Sequence, residues 1–160
     1  MTQFRIDGLD RFVWWESGDE NPDRIVLDET GFVRTFASDI AAREAALADG
    51  RRLSTENSPL FDFDAVDAWC RSGDTVRDCS ALLNAWNMLG DLPRDEKLFA
   101  RADTRAKAIY DKLFFGCNLP SITPPGEQYV PTWTEPELAV LRHVLQLGLA
   151  ELRARLRSPS

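Results

Sequence analysis

The sequence predicts an α+β fold: a small N-terminal antiparallel sheet of three to four strands plus one helix, packed on a C-terminal bundle of about four helices. Two changes of pattern predict it. Short β-branched and aromatic runs separated by turn residues occupy the chain up to residue 36, and apolar residues at helical spacing, bounded by caps and glycine stops, occupy most of the rest. A third observation sets the scale. At 160 residues the chain has the length of one domain, and folding at this size removes roughly 70% of the unfolded chain's surface from water. We therefore expect a single domain over residues 1–160, with a sheet-containing layer at 1–53 and a helical layer at 60–157.

Residues 11–16, RFVWWE, read as a strand and are followed by the turn-rich SGDENPD. In RIVLDETGFVRTF, Thr30-Gly31 separates two further runs, which completes an antiparallel meander. Phe4 and Ile6 add an edge strand. Strand alternation puts Phe32, Arg34 and Phe36 on one side, an aromatic face with an arginine stem across it. Trp14 and Trp15, as neighbours on a strand, face opposite ways, so one ring must find cover on the far side of the sheet.

At Ser38 the period changes. Ser38-Asp39 caps a helix in which Ile40, Ala41, Glu44, Ala45 and Ala48 recur at helical spacing until Gly50 stops it. Ser54–Pro59 reads as a loop between the two layers. Asp62 or Asp64 opens a helix through Trp69 that Gly73 ends; Asp74 or Thr75 caps the next, which Pro93 ends; a fourth runs from about Asp95 to Phe115. Four prolines and a glycine make residues 117–133 an ordered surface loop. The final helix starts at Thr134-Glu-Pro-Glu137, a capping box with proline in the first turn, and Trp133 is placed to staple onto Leu138. Leu138, Leu141, Val144, Leu145, Leu149 and Leu152 give it an apolar stripe, and Arg153, Arg155 and Arg157 suit the negative end of its dipole.

The helix over 75–91 carries an unusual polar stripe. Cys79, Leu82, Leu83, Trp86 and Leu89 span a core face, while Arg77, Ser80, Asn84, Asn87 and Asp91 fall on a separate band flanked by Ala81, Ala85 and Met88. Asparagine is a poor helix former, because its side chain competes for backbone hydrogen bonds. Asn84 and Asn87 are therefore expected to serve something outside the helix. The economical partner is the backbone of loop 117–133; the alternative is a ligand, in a small ligand-binding or enzymatic domain with a pocket between helix 75–91 and that loop.

Catalytic chemistry finds little footing in the residue types. The single histidine, His143, sits among leucines in the last helix and reads as a partly buried packing residue. One histidine without clustered cysteines does not make a zinc site of the usual ligand types, and no glycine spacing matches a phosphate-cradling loop. No catalytic residue, metal or cofactor is expected. Cys70, Cys79 and Cys117 include no C-x-x-C pair and read as small buried apolar residues. The N-terminal segment lacks a secretory pattern and no stretch is apolar enough to span a membrane, so a cytoplasmic chain is expected.

Charge is unevenly spread along the chain. Residues 1–67 hold 15 Asp and Glu against 7 Arg, net −8, and residues 68–160 hold 11 acids against 12 Lys and Arg, net +1. Such a field repels nucleic acid and favours a basic partner. Two acidic groups concentrate it: Asp19, Glu20 and Asp23, and Asp62, Asp64 and Asp67.

Asp78-Cys79 leading into Leu82-Leu83-Asn84-Ala85-Trp86-Asn87, then Ile109–Phe114, Asn118-Leu119-Pro120 and Tyr129–Trp133, resemble a family of small bacterial immunity proteins. That family neutralises the toxin tips delivered by contact-dependent growth inhibition and related polymorphic toxin systems. The similarity covers roughly residues 62–155 and lies in helix-core and loop strings. It implies a non-enzymatic inhibitor that binds a cognate toxin domain, often a basic nuclease, with no role for nucleic acid or membrane as direct partners. Interface residues do not carry over by position. On charge, the six acids Asp19, Glu20, Asp23, Asp62, Asp64 and Asp67 are the expected partner-binding residues.

Overall fold

A computed structural model describes residues 1–16, 23–52, 60–92 and 104–157. In chain order the elements are β1 (Thr2–Ile6), β2 (Leu9–Val13), β3 (Trp15–Glu16), β4 (Arg24–Ile25), β5 (Thr35–Phe36), α1 (Asp39–Ala48), β6 (Leu60–Asp62), α2 (Phe63–Ser72), α3 (Cys79–Gly90), α4 (Thr104–Gly116) and α5 (Glu135–Ala154). The α+β class is as the sequence predicts, with α2 to α5 forming the helical layer.

The sheet departs from the predicted meander. Its order is β5-β2-β1-β6, so β1 is internal and no edge strand, and β6 pairs with it in parallel through Gln3↔Leu60, Phe4↔Phe61 and Arg5↔Asp62. The sheet is therefore mixed. β1 and β2 form a tight hairpin through Asp7-Gly8, both at positive φ (52° and 73°), which fits the twist of paired strands. Residues 11–16 do not continue as one strand: the ladder breaks at Trp14, and β3 pairs with β4 in a separate two-stranded sheet. Only Thr35–Phe36 of the predicted 32–36 strand pairs in a ladder, with Val33 bridging to Leu27.

The break at Trp14 lets adjacent tryptophans serve two cores. Trp14 packs with Val26 and Ala46 beneath α1, donates Nε1–H to the Ala42 carbonyl at 3.1 Å, and carries the guanidinium of Arg34 over its ring at 4.5 Å. Arg34 also covers Phe36. Trp15 joins the main core, edge-on to Phe61, with its Nε1–H on the Asp91 carboxylate at 2.9 Å. Ser38 caps α1 as expected, accepting from Ala41 N–H at 3.1 Å. The buried face of α1 is Ala42 and Ala46, however, while Ile40 and Leu47 are 67% and 78% exposed. Small residues let the helix lie close on the sheet, and that closeness decides the face over bulk apolarity.

Phe4 and Ile6 point from β1 into the main core, against Phe63 of α2, Met88 and Leu89 of α3, Leu113 of α4 and the stripe Leu141, Leu145, Leu149 and Leu152 of α5. That stripe is as predicted. The capping box is present too: the Glu137 carboxylate accepts from Thr134 N–H at 2.8 Å and from its hydroxyl at 3.0 Å. Asp78 caps α3, accepting from Ala81 N–H at 2.9 Å, so that helix begins beyond both expected caps, Asp74 and Thr75. It closes at Gly90 ahead of Pro93, which lies outside the described residues, as do residues 95–103 of the expected fourth helix.

The C-terminal arginines bind the sheet layer and do more than face a dipole. Arg153 donates to Asp7 at 2.9 Å and to Asp67 at 2.8 Å, and Arg157 donates to Asp28 at 2.7 Å. Val33 N–H donates to the Arg155 carbonyl at 2.8 Å. Burial pushes the Asp67 carboxyl up, but hydrogen bonds from Arg153 and Arg71 outweigh it and hold the group below its ordinary range. Asp28 is held down to about 2, first by the Thr30 hydroxyl and then by the N–H groups of Thr30 and Phe32 and by Arg157.

Two predictions follow from the packing and from these carboxylates. A Cβ on Gly148 would meet Leu89 Cβ at 2.9 Å where α5 crosses α3, so Gly148→Ala should destabilise by about 1–3 kcal/mol in urea unfolding despite its better helix propensity. Because the folded pKa of Asp28 is depressed, its contribution is full above the ordinary carboxylate value and lost as pH falls toward about 2. Asp28→Asn should therefore be less stable than the parent near neutrality, with the gap in unfolding midpoint shrinking over that acid window.

Candidate functional site

A groove of ≈ 410 Å³ opens between β6 with α2 on one side and α3 on the other. Helix periodicity builds it: Phe63, Val66 and Trp69 project from α2, and Ala81, Leu82 and Ala85 from α3. The alanines leave the space, since larger side chains on that face would fill it. Leu60–Asp62 of β6 completes the wall.

The end of the groove is the turn 73–77. Gly73 ends α2 in the left-handed conformation (φ 76°). Trp69 Nε1–H then donates to the Thr75 carbonyl at 3.1 Å, and Arg142 of α5 donates to the Asp74 carbonyl at 2.8 Å while its guanidinium lies over the Trp69 ring at 5.4 Å. The turn is thus tied to both helices. It sets Asp74, Thr75, Arg77 and Asp78 around the mouth, with Asn84 further along α3.

The expected acids divide by place. Asp19 and Glu20 lie outside the described residues, and Asp23 is exposed immediately before β4. Asp62, Asp64 and Asp67 come together at the start of α2, each holding part of the fold. Asp62 caps α2 through Ala65 N–H at 2.9 Å; Asp64 accepts from Asp7 and Gly8 N–H at 2.7 and 2.8 Å; Asp67, 8% exposed, pairs with Arg71 and Arg153. Reversing the charge of Asp64 or Asp67 would break the hairpin turn or the interlayer clamp, so such changes do not leave the fold untouched. Only Asp62 of these three also lines the groove.

The asparagines do not bond loop 117–133. Asn87 Oδ1 accepts from the Tyr110 hydroxyl at 2.9 Å, joining α3 to α4, and Asn84 is exposed on the groove wall. The loop is organised by Asn118, at φ 49°, which donates to the Gly116 and Tyr129 carbonyls and accepts from Tyr129 N–H at 2.7 Å. Its own concavity, ≈ 390 Å³, is framed by Phe115, Ile122, Pro124 and Tyr129. The loop's concavity includes no residue of helix 75–91, and the groove lies where that helix meets α2 and β6.

Nucleophiles and ligands are sparse around these features. His143 is exposed, contrary to its expected partial burial. Cys70 and Cys79 are buried as expected, and burial first of all pushes both thiols up, Cys70 to about 11, which keeps them protonated and unreactive. Among the described residues no group of three or more His, Cys, Asp and Glu is placed to hold a metal ion. No helix is long and apolar enough to cross a membrane among those residues.

What sequence reasoning missed is the groove itself. Asp78 carried a usable signal, an aspartate immediately before the apolar run of α3, and Asp74, Trp69 and Leu60 carried none outside the folded context. We expect Asn87→Ala to lose about 0.5–1.5 kcal/mol, as its Tyr110 bond implies, and Asn84→Ala to stay within about 0.5 kcal/mol of the parent, both by urea denaturation. No protein family, no curated protein and no solved structure matches this chain.

Proposed function

We propose that this chain is a non-enzymatic immunity protein that acts in the cytoplasm by binding a cognate bacterial toxin domain with a basic, nuclease-type surface. One observation carries the reading: the α2–α3 groove combines an apolar floor with a mouth of carboxylates, the combination a protein partner with basic and apolar side chains would bury. The resemblance of residues 62–155 to immunity proteins supports it, and one of its strings, Asp78–Asn87, forms the α3 wall of this groove. Much of the N-terminal acidity is spent within the fold: Asp7, Asp10, Asp28, Asp39, Asp49 and Asp67 each pair with an arginine. The groove mouth is the part of the field that lies beside an apolar floor.

Growth rescue tests the proposal. Cells expressing the toxin domain encoded by the adjacent reading frame should arrest, and should grow when this chain is co-expressed, with the two proteins co-purifying. An adjacent frame that encodes no toxin, or arrest that persists beside abundant folded protein, overturns it.

A further inference from the structure

Among the described residues β6 is the terminal strand of the four-stranded sheet, and its three residues line the groove. A terminal strand keeps one row of backbone N–H and C=O groups outside the ladder, a template for an added extended segment. Beyond it lie the apolar side chains of α2 and α3. The groove therefore offers a backbone edge and a place for a side chain within reach of each other.

Charge selects what fits there. The mouth carries Asp62, Asp74 and Asp78 against Arg77, three negative groups less one positive, net −2. Asp62 and Asp78 each commit only Oδ1 to a helix cap, and among the described residues no bond is made to Oδ2 of either. The Asp74 carboxylate holds no part of the turn, whose bonds run through the backbone of that residue. Arg5 stands in register with Asp62, but its guanidinium is taken by Asp10 at 2.7 and 3.0 Å. The carboxylates face the mouth with capacity to accept.

We infer that the groove seats an extended segment of a partner protein in which a large apolar side chain is flanked by lysine or arginine. The segment lies beside β6, its apolar group rests between Trp69 and Ala81, and its basic groups meet Asp62, Asp74 and Asp78. This rests on the binding function proposed above and names the chemistry of the contact. A small apolar molecule would fill the floor and leave both the strand edge and the carboxylates unused.

The probes are two capped hexapeptides, one alternating lysine with leucine and one alternating glutamate with leucine, titrated into the intact chain and followed by amide and indole NMR shifts and by calorimetry. The lysine peptide should shift the Trp69 indole and the Ala81 amide, and bind more weakly as salt rises; the glutamate peptide should not bind. Ala81→Trp, which fills the groove from an exposed helical position, and Asp74→Lys, which reverses a charge that bears no structural bond, should each weaken the lysine peptide by about tenfold. Should Ala81→Trp melt early, Asp74→Lys carries the test alone. Equal binding of both peptides, shifts centred away from the groove, or parental affinity in Asp74→Lys overturns the inference. So does n-butylbenzene binding at the same signals with the affinity of the lysine peptide, which would make the groove a small-molecule pocket. Growth rescue separates the two levels: rescue that survives Ala81→Trp and Asp74→Lys leaves immunity standing and removes the groove, whereas groove binding without rescue does the reverse.

Discussion

Arg153 is the joint on which the two layers depend. Its guanidinium reaches the hairpin turn at Asp7 and the buried carboxylate of Asp67, so one side chain ties β1–β2, α2 and α5 at a single point. Arg153 and Arg71 offset the burial of Asp67 at 8% exposure, and Asp64 holds the hairpin turn from the other side through the Asp7 and Gly8 N–H groups. Around this joint the same pattern recurs: arginines at and just beyond the end of the last helix meet acids from the first third of the chain, at Asp28 as well as Asp7. Asp7, Asp28 and Asp67 of the acidic part are thereby paired with arginines from beyond residue 67.

Helices were legible where a local rule decides them. The capping box at Thr134–Glu137, the leucine stripe of α5, the Ser38 cap and the glycine stops at Gly50 and Gly73 depend on neighbours within a few residues, and the structure keeps all of them. Opposite placement of Trp14 and Trp15 was legible for the same reason. The Asp7-Gly8 hairpin was written in the sequence as a two-residue turn between apolar residues and was read only as an edge strand.

The remainder was settled by distant contacts. β6 is three residues long and carries no strand signature; it is a strand because β1 offers a parallel partner there. Asn84 and Asn87 look alike on a helical wheel, and only the arrival of Tyr110 from α4 separates a structural bond from a groove wall. The groove was invisible for a related reason: it is the space left where the edge of a sheet and two helices meet over alanines, and no residue in it is unusual by itself.

The pairing of β1 has a temporal consequence. β1 finds its parallel neighbour at residues 60–62, and the turn that follows it is clamped by a side chain 146 residues further on. Contacts of such sequence separation slow folding, and they hold the emerging chain in a partly assembled condition with Phe4 and Ile6 uncovered until the last helix is available. Closure of the fold therefore waits for residues 135–154 to become available. The groove turn shares that dependence, because Arg142 of the last helix holds the Asp74 carbonyl.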